Sequence, residues 1–372
     1  MTSPRRSLLF LVPGTTGKYF CGGLVAELKA MKLAQKVCHA EVVTYRDREP
    51  NTLFLPDLIQ DGGVNTDRIF VVSWGFDVPK LVKQLRGHHV MYHAHSSGYG
   101  FRLDSSVPIL TVSRNTMGYW GQQSPHSLIY YLPNQISDEF SDRNPNRMTR
   151  DIDVLIQSRK SSSYLLQSLI PALQKKCRVQ VITGFVDDLA ALFNRSHVYL
   201  YDSAEYWAQQ RVTEGFGLPP MEAMASGCHV FSSVNHALSD YLDPGFNSHK
   251  IAGYATGYDV QRILECLTRK PSPLPSNFLD QYRSDTIIKR WDVILKEVNQ
   301  FFDYTEQHRS DILELTPLRL QGMRWRSNLD KLKKRLRGCL KTPLVGIKTP
   351  DPSEHCCSIT IANLKLFCDR LA

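Results

Sequence analysis

Short apolar runs alternate with helical patterns through the first three quarters of the chain. In the first half these runs are SLLFLVPG, EVVTY, RIFVVSWG and HVMYHAHSSG, and in the second half DVLIQS, VQVITG, SHVYLYDS and CHVFSSV. Buried strands that alternate with helices form parallel sheets with helices on both faces. We therefore expect an α/β protein with two doubly wound domains that face a cleft, and a ligand site beyond the carboxyl ends of the strands.

The expected domain boundaries follow changes in this alternation. The polar segment SDRNPNRMTRD precedes the first strand of the second half, and the alternation stops near residue 275. Polar segments that contain proline are typical of connections between domains. The predicted order is a first domain over residues 1–145, a second domain over 146–275, a long helix over 276–305, and a basic helix and tail over 306–372.

Length and composition are those of a globular intracellular protein. The chain has 372 residues, of which 42% are hydrophobic, enough for a core in each domain. Its nine scattered cysteines form no CxxC pair and no compact disulfide spacing, which favours a reducing, cytoplasmic location. The apolar run from Leu8 to Val12 is too short for a signal peptide, and no apolar stretch has the length of a membrane span.

Positive charge is concentrated near the C-terminus. Residues 315–341 carry nine Lys or Arg and one Asp, and the net charge of the whole chain is +9, so the remainder is nearly neutral. This distribution argues against a nucleic-acid-binding protein. Apolar residues recur in this segment at helical spacing: Trp325, Leu329, Leu332, Leu336 and Leu340. The pattern fits a helix that lies on an anionic membrane surface, and equally a surface helix packed on the protein through its leucines.

The stretch EGFGLPPMEAMASG, residues 214–227, places two glutamates eight positions apart around a glycine and proline loop. Proline is favoured in a first helical turn, so we expect a helix from about Met221 to the last glycine. Glu222 would lie in the first turn, where the helix dipole favours its ionised form, and Gly215 and Gly217 would let backbone N–H groups approach an anion. Carboxylates of this kind accept hydrogen bonds from sugar or ribose hydroxyls. The alternative is that Glu222 only complements the dipole and the glycines only form a turn.

Residues 214–227 match almost letter for letter the pattern E-G-F-G-L-P-x-x-E-A-M-A-x-G of retaining glycosyltransferases of family 4, or group 1, which have the GT-B fold. The chain resembles this family over roughly residues 7–305, at motif strength only in the second half. The resemblance implies two Rossmann-like domains, the first on the acceptor side and the second on the donor side, and a helix over 276–305 that crosses back to the first. It also implies that Glu214 contacts the donor sugar, that Glu222 holds the ribose, and that the backbone of Gly215, Phe216, Gly217 and Leu218 approaches the sugar and diphosphate.

Further positions take roles from the same resemblance. Arg159 and Lys160, which follow the strand DVLIQS, correspond to cations that bind the diphosphate, although adjacent cations at a strand end are commonly only solvated. Gly184 corresponds to a turn beside the base. Gly22 and Gly23 correspond to a glycine pair that opens the first helix near the donor phosphate and the acceptor, and close packing of strand on helix is an equally good explanation of them.

Two histidines lie on the same side of the strand in HVMYHAHSSG, because side chains alternate along a strand. They could be buried, hydrogen-bonded residues or a metal pair, although no third ligand follows at metal spacing. In the family a histidine at this strand end faces the donor sugar. His95 is the closer match and His93 is the second.

The resemblance implies a hexosyltransferase-type enzyme that moves a sugar from a nucleotide-diphosphate sugar to an acceptor with retention of configuration. Arg159 and Lys160 would stabilise the departing diphosphate, which takes the acceptor proton, and Glu214 and His95 would orient the sugar. No bound metal or other cofactor is implied.

The basic helix makes a lipid, glycolipid or glycan acceptor at the inner face of a membrane the expected one, with the protein peripheral there. A non-catalytic glycosyltransferase-like scaffold at the membrane is the alternative, and the presence of both glutamates and the cation pair argues against it. A P-loop kinase is not supported, since GTTGK lacks the GxxxxGK[ST] spacing.

Overall fold

The computed structural model describes residues 6–60, 65–143, 150–251, 253–308 and 315–339. The chain divides into two compact units, Met1–His308 and Arg309–Ala372. The expected boundary at residue 145 lies among residues 144–149, outside the described residues, as does the tail over 340–372.

The first unit contains two parallel sheets, of which the first has seven strands in the order β3-β2-β1-β4-β5-β6-β7. The strands are β1 Ser7–Val12, β2 Ala40–Thr44, β3 Leu53–Phe54, β4 Arg68–Val72, β5 His89–Ala94, β6 Ile109–Thr111 and β7 Ile129–Tyr131. Four of them are the four predicted runs. The sequence did not reveal β3, β6 and β7, because two or three residues are too few to show a strand period.

The second sheet has five parallel strands in the order β12-β11-β10-β8-β9. They are β8 Ile152–Gln157, β9 Val179–Ile182, β10 Ser196–Tyr201, β11 His229–Ser232 and β12 His249–Lys250. The four predicted runs of the second half are again strands, and the two-residue β12 was not predicted.

Helices separate the strands and cover the faces of both sheets, as parallel strands require. In chain order they are α1 Gly22–Ala34, α2 Leu55–Gln60, α3 Val78–Gln84, α4 Arg114–Gln123, α5 Ile170–Gln174, α6 Leu189–Asn194, α7 Ala204–Gln210, α8 Leu218–Ala225, α9 Thr256–Leu267 and α10 Ser284–Gln307. A five-residue π-helical turn, Leu165–Leu169, leads into α5.

The two faces of the first sheet pack into different apolar clusters because side chains alternate along each strand. Leu8 and Phe10 of β1 pack in the cluster that includes α10, whereas Leu9 and Leu11 pack in the cluster on the opposite face. Trp291 of α10 is fully buried, with its ring centre 6.3 Å from that of Phe10 in an edge-to-face arrangement. The chain therefore returns to the first sheet after it has formed the second.

The described part of the second unit is α11, Pro317–Cys339. It includes the predicted helical segment from Trp325 to Leu332. In the described part of the chain, no helix combines the length and the hydropathy that a bilayer span needs.

Candidate functional site

Two loops at the carboxyl ends of strands meet between the sheets. The β5 loop, residues 95–98, follows β5 of the first sheet. The β10 loop, residues 202–217, follows β10 of the second sheet and contains the short helix α7. The Oγ of Ser96 donates to the carbonyl of Thr213 at 2.6 Å, and the hydroxyls of Ser97 and Thr213 lie 2.6 Å apart. The amide of Thr213 donates to the Ser97 carbonyl at 3.1 Å. These hydrogen bonds, which we call the loop seam, join the two sheets at the end where doubly wound proteins bind ligands.

Glu214 lies beside the loop seam, and its carboxylate is the acceptor of a buried cluster. Its Oε2 accepts hydrogen bonds from the hydroxyl of Tyr201 at 2.5 Å, from Ser203 Oγ at 3.0 Å and from Trp207 Nε1 at 2.7 Å. Only 5% of Glu214 is exposed. Three donors on one oxygen hold the carboxylate in a single orientation.

The helix that carries Glu222 begins earlier than we predicted. Helix α8 begins at Leu218 rather than near Met221, and the two prolines occupy its first turn. Gly217 precedes it with φ 81°, a left-handed conformation that glycine adopts without strain. Glu222 is therefore the fifth residue of the helix, so the expectation that it lies in the first turn is wrong.

Glu222 is also not held ionised by the helix dipole, whose effect is confined to the first turn. Its side chain is buried, and burial raises the pKa of Glu222 to about 7, although the charge of Lys29 on α1 opposes the increase. Lys29 itself donates to Ser137 Oγ at 2.8 Å. Near neutral pH this carboxyl group therefore exchanges between its protonated and ionised forms.

The glycines of the motif make room for the protein itself. A Cβ on Gly215 would lie 1.5 Å from the carbonyl oxygen of His95, and a Cβ on Gly217 would lie 2.3 Å from the side chain of Leu238. Phe216, between them, is buried in the apolar core of the second sheet. The close approach of other protein atoms is therefore one reason for glycine at these two positions.

The structure distinguishes the two adjacent cations that follow β8. Lys160 is half-buried, and its Nζ lies 4.4 Å from the centre of a Trp207 ring that in turn donates to Glu214. Lys160 has φ 66°, an uncommon conformation for a residue with a side chain. Arg159 is exposed. Lys160 is therefore the cation that lies beside the Glu214 cluster.

Both histidines contact a carboxylate that the sequence did not reveal. The Nδ1 of His93 and the Nε2 of His95 each lie 2.6 Å from Oε2 of Glu27 on α1. Glu27 and His93 are buried, and His95 is partly exposed. These three residues are close enough to hold a metal ion. A third side chain of a metal-binding type, which the sequence spacing did not reveal, therefore comes from α1, a helix far away in sequence.

The trio has an ionised carboxylate at its centre. Burial alone would raise the pKa of Glu27, but the charge and hydrogen bonds of His93 and His95 lower it to about 2. Burial, followed by the charge of His93, lowers the pKa of His95. We conclude that Glu27 pairs with His93 and accepts a hydrogen bond from a neutral His95, whose orientation is thereby held.

Comparisons with known proteins agree with this architecture. Residues 142–261, which include the β8 to β11 strands, Lys160, Glu214 and Glu222, match the family described as "Glycosyl transferases group 1". The match covers about a third of the chain, and the chain is similar to this family there. The resemblance predicted from the sequence is confirmed.

Relatives and solved structures extend the comparison beyond residues 142–261. The chain is 33% identical over 90 residues to the serotype-specific mannosyltransferase WbdA of Escherichia coli, and this match covers 23% of the chain and 9% of WbdA. HepE of Anabaena, solved with UDP and glucose, is similar with a TM-score of 0.51 and 14% identity over 81% of this chain and 99% of HepE. Sucrose-phosphate synthase of Thermosynechococcus elongatus has a TM-score of 0.51 and 12% identity over 82% of this chain and 98% of its own. The predicted α/β GT-B fold is confirmed.

The remaining glycines of the predicted site face open space. No described atom outside the helix backbone and the adjacent residues lies within 4 Å of a Cβ placed on Gly22, and none lies that close to a Cβ placed on Gly184. For Gly23 the contact is with Cys21 Sγ at 3.8 Å. Close packing of strand on helix therefore does not explain Gly22, and the start of α1 is accessible.

Sequence reasoning missed several members of the candidate site. Tyr201 and Trp207 hold Glu214, Glu27 holds the histidines, and Ser96 and Thr213 form the loop seam. The polar residues that directly follow SHVYLY and HVMYHA were a usable signal, because strand ends are where such sites form. Glu27, on the buried face of a helix, gave no comparable signal.

Proposed function

We propose that the protein is a retaining glycosyltransferase that transfers a sugar from a nucleotide-diphosphate sugar to an acceptor. The observation that carries this proposal is the buried Glu214 carboxylate, oriented by three donors, with Lys160 stacked on one of them. The mannosyltransferase activity named for WbdA and the UDP and glucose bound by HepE support it.

The proposed roles follow the positions of the side chains. Glu214 and His95 orient the sugar, and Glu222 binds the ribose. Lys160 and Arg159 stabilise the diphosphate, with Lys160 the main contributor because it is the half-buried one. The donor-binding backbone is that of residues 215–218, with Gly184 beside the base and Gly22 and Gly23 near the phosphates. Residues 1–145 and 146–275 are the proposed acceptor and donor domains.

The chemistry proposed is front-face transfer. The bond between the anomeric carbon and the diphosphate oxygen breaks, and the acceptor oxygen forms its bond to that carbon on the same face. The acceptor proton goes to the departing diphosphate, so the side chains supply orientation and charge stabilisation rather than a nucleophile. We propose that this step needs no bound metal or other cofactor.

Donor binding tests the proposal and the assignment of Lys160 together. Thermal unfolding of the full chain should be measured with UDP-, GDP- and ADP-sugars, in the wild type, in Lys160→Ala and in Arg159→Ala. We expect one nucleotide to raise the melting temperature of the wild type. Lys160→Ala should weaken its affinity about 10- to 100-fold, as expected for loss of a hydrogen bond to a charged group worth about 1.5–3 kcal/mol. Arg159→Ala is the matched control and should change affinity by less than about 3-fold.

Two results would contradict this assignment. Equal losses in the two variants would show that the half-buried position of Lys160 has no special role in binding the diphosphate. Failure of every nucleotide in the panel to stabilise the wild type would favour the non-catalytic scaffold.

We further propose that α11 holds the protein on the cytoplasmic, anionic surface of a membrane, where it uses a lipid, glycolipid or glycan acceptor. The support is the basic segment that carries Trp325 and leucines at helical spacing. Replacing Lys331, Lys333 and Lys334 by Glu in the full chain should lower co-sedimentation with phosphatidylserine vesicles at least about 100-fold, since each basic residue near the surface contributes about 1 kcal/mol. The control is an equal number of neutral phosphatidylcholine vesicles. Unchanged sedimentation of the triple variant would rule out electrostatic attachment through α11.

A further inference from the structure

Three side chains that commonly bind metals meet beside β11 and β12, at one edge of the second sheet. His229 is the first residue of β11, His249 begins β12, and Cys266 lies near the end of α9. One ligand atom from each lies within 4.8 Å of the other two. The donor-site residues follow the carboxyl ends of strands, whereas His229 lies at the amino end of β11. A four-residue strand separates its ends by roughly 10 Å, so this cluster is distinct from the Glu214 cluster.

The distances in this cluster are those between the ligands of one metal ion. His249 Nε2 lies 3.4 Å from His229 Nδ1 and 3.6 Å from Cys266 Sγ. Tetrahedral zinc, with bonds of about 2.0–2.1 Å to nitrogen and about 2.3 Å to sulfur, separates two nitrogen ligands by about 3.4 Å and a nitrogen from a sulfur ligand by about 3.6 Å. A zinc ion therefore fits these two edges without moving the atoms.

The hydrogen bond of His229 to the backbone orients it as a ligand. Its Nε2 lies 3.0 Å from the carbonyl oxygen of Arg269. A carbonyl can only accept, so Nε2 carries the proton and Nδ1 presents its lone pair toward His249. This is the arrangement found around metal-binding histidines, where an outer hydrogen bond sets the tautomer.

A single cation could contact all three ligand atoms of the cluster. The contacts of His249 Nε2 with His229 Nδ1 and with Cys266 Sγ measure 3.4 and 3.6 Å. Both distances are long for a hydrogen bond to nitrogen or a strong one to sulfur. A cation at the centre would instead bind all three atoms through their lone pairs.

We propose that His229, His249 and Cys266 bind a zinc ion, with the fourth position occupied by water. His229 and Cys266 are buried and His249 is half-buried, so the ion would have a dry inner side and an entry path past His249.

The ion would link three elements at one edge of the second sheet. Strand β12 has two residues at the edge of the sheet and pairs with β11 only through Phe231 and Ser232. A metal that links His249 to His229 and Cys266 would tie this edge strand and the end of α9 to β11. Its expected effect is on stability, and the nucleotide site should be unaffected.

The test uses the purified full chain, treated with a chelator and then titrated with Co²⁺ alone or Zn²⁺ alone. We expect about one tightly bound ion per chain at this site and, for Co²⁺, the near-ultraviolet charge-transfer absorption of a thiolate ligand. The Glu27, His93 and His95 trio has no sulfur and cannot give this band. Zn²⁺ should displace Co²⁺ and raise the melting temperature by several degrees.

Three variants assign the band. Cys266→Ala and His249→Gln should lose it or require at least about 10-fold more Co²⁺, whereas Cys177→Ser, which alters a cysteine packed beside the same apolar cluster, should keep it. If Cys266→Ala does not fold, as judged by circular dichroism, His249→Gln decides, because His249 is partly exposed. Absence of the band from the wild type, or its survival in a folded Cys266→Ala or His249→Gln, would overturn the proposal.

Discussion

Replacing Gly215 with alanine is expected to destabilise the protein by about 2–4 kcal/mol and to abolish the proposed glycosyl transfer. The added Cβ would lie 1.5 Å from the carbonyl oxygen of His95 and 3.2 Å from the Cα of Ser96. These are backbone atoms, which cannot rotate away as a side chain can. The β5 and β10 loops would have to separate, and the three hydrogen bonds of the loop seam would break at about 0.5–1.5 kcal/mol each.

Urea unfolding measures this loss, and donor turnover measures its functional effect. Gly22→Ala is a matched control for stability, because no described atom outside the helix backbone and the adjacent residues lies within 4 Å of its Cβ. It should change the free energy of unfolding by less than about 0.5 kcal/mol. If Gly215→Ala were as stable and as active as the wild type, the β10 loop would not pack against the β5 loop in solution.

Replacing Glu222 with glutamine is expected to stabilise the protein above pH 7 and to leave its stability unchanged near pH 4.5. The folded pKa of about 7 exceeds the ordinary value of 4.5. Between these values the folded state binds more protons than the unfolded state, so wild-type stability falls as pH rises. A difference of about 2.5 pKa units corresponds to about 3 kcal/mol of stability lost by pH 8, which the neutral amide would recover.

Chemical unfolding of the wild type and of Glu222→Gln at pH 4.5, 6 and 8 tests this expectation. Glu205→Gln is the control, because Glu205 is partly exposed and its hydrogen bond with Ser163 lowers the pKa of Glu205. It should not stabilise the protein at pH 8. A gain for Glu222→Gln that is the same at all three pH values would show that ionisation is not its cause. If the same variant also bound nucleotide more weakly, the carboxyl group of Glu222 would be shown to bind the ligand although its burial lowers stability.

The strand pattern predicted the fold well because each long strand is buried on both faces. Runs such as RIFVVSWG and SHVYLYDS contain four consecutive apolar residues and end where the chain turns, which local sequence shows clearly. The start of α8 was misplaced because the prolines that follow Gly217 are compatible both with a position before a helix and with its first turn. Both start positions of α8 are compatible with the sequence, and tertiary packing decides between them.

The site could be predicted in part, and the reason for the limit is physical. Glu214 and Glu222 are close in sequence and carry a recognisable spacing. Glu27 reaches His95 across 68 residues, a contact that exists only because α1 packs beside the end of β5. Lys160 and Arg159 are adjacent cations that the sequence does not distinguish. The backbone turn at Lys160 brings that side chain, and not Arg159, against Trp207.

The chemical make-up of the loop seam suits it to reversible contact. It consists of hydroxyl, carbonyl and amide groups rather than of apolar side chains. Water replaces such hydrogen bonds at a small net cost, whereas separating an apolar interface of similar size would expose hydrocarbon to water. The two sheets are therefore joined here by hydrogen bonds that can break and re-form without exposing apolar surface.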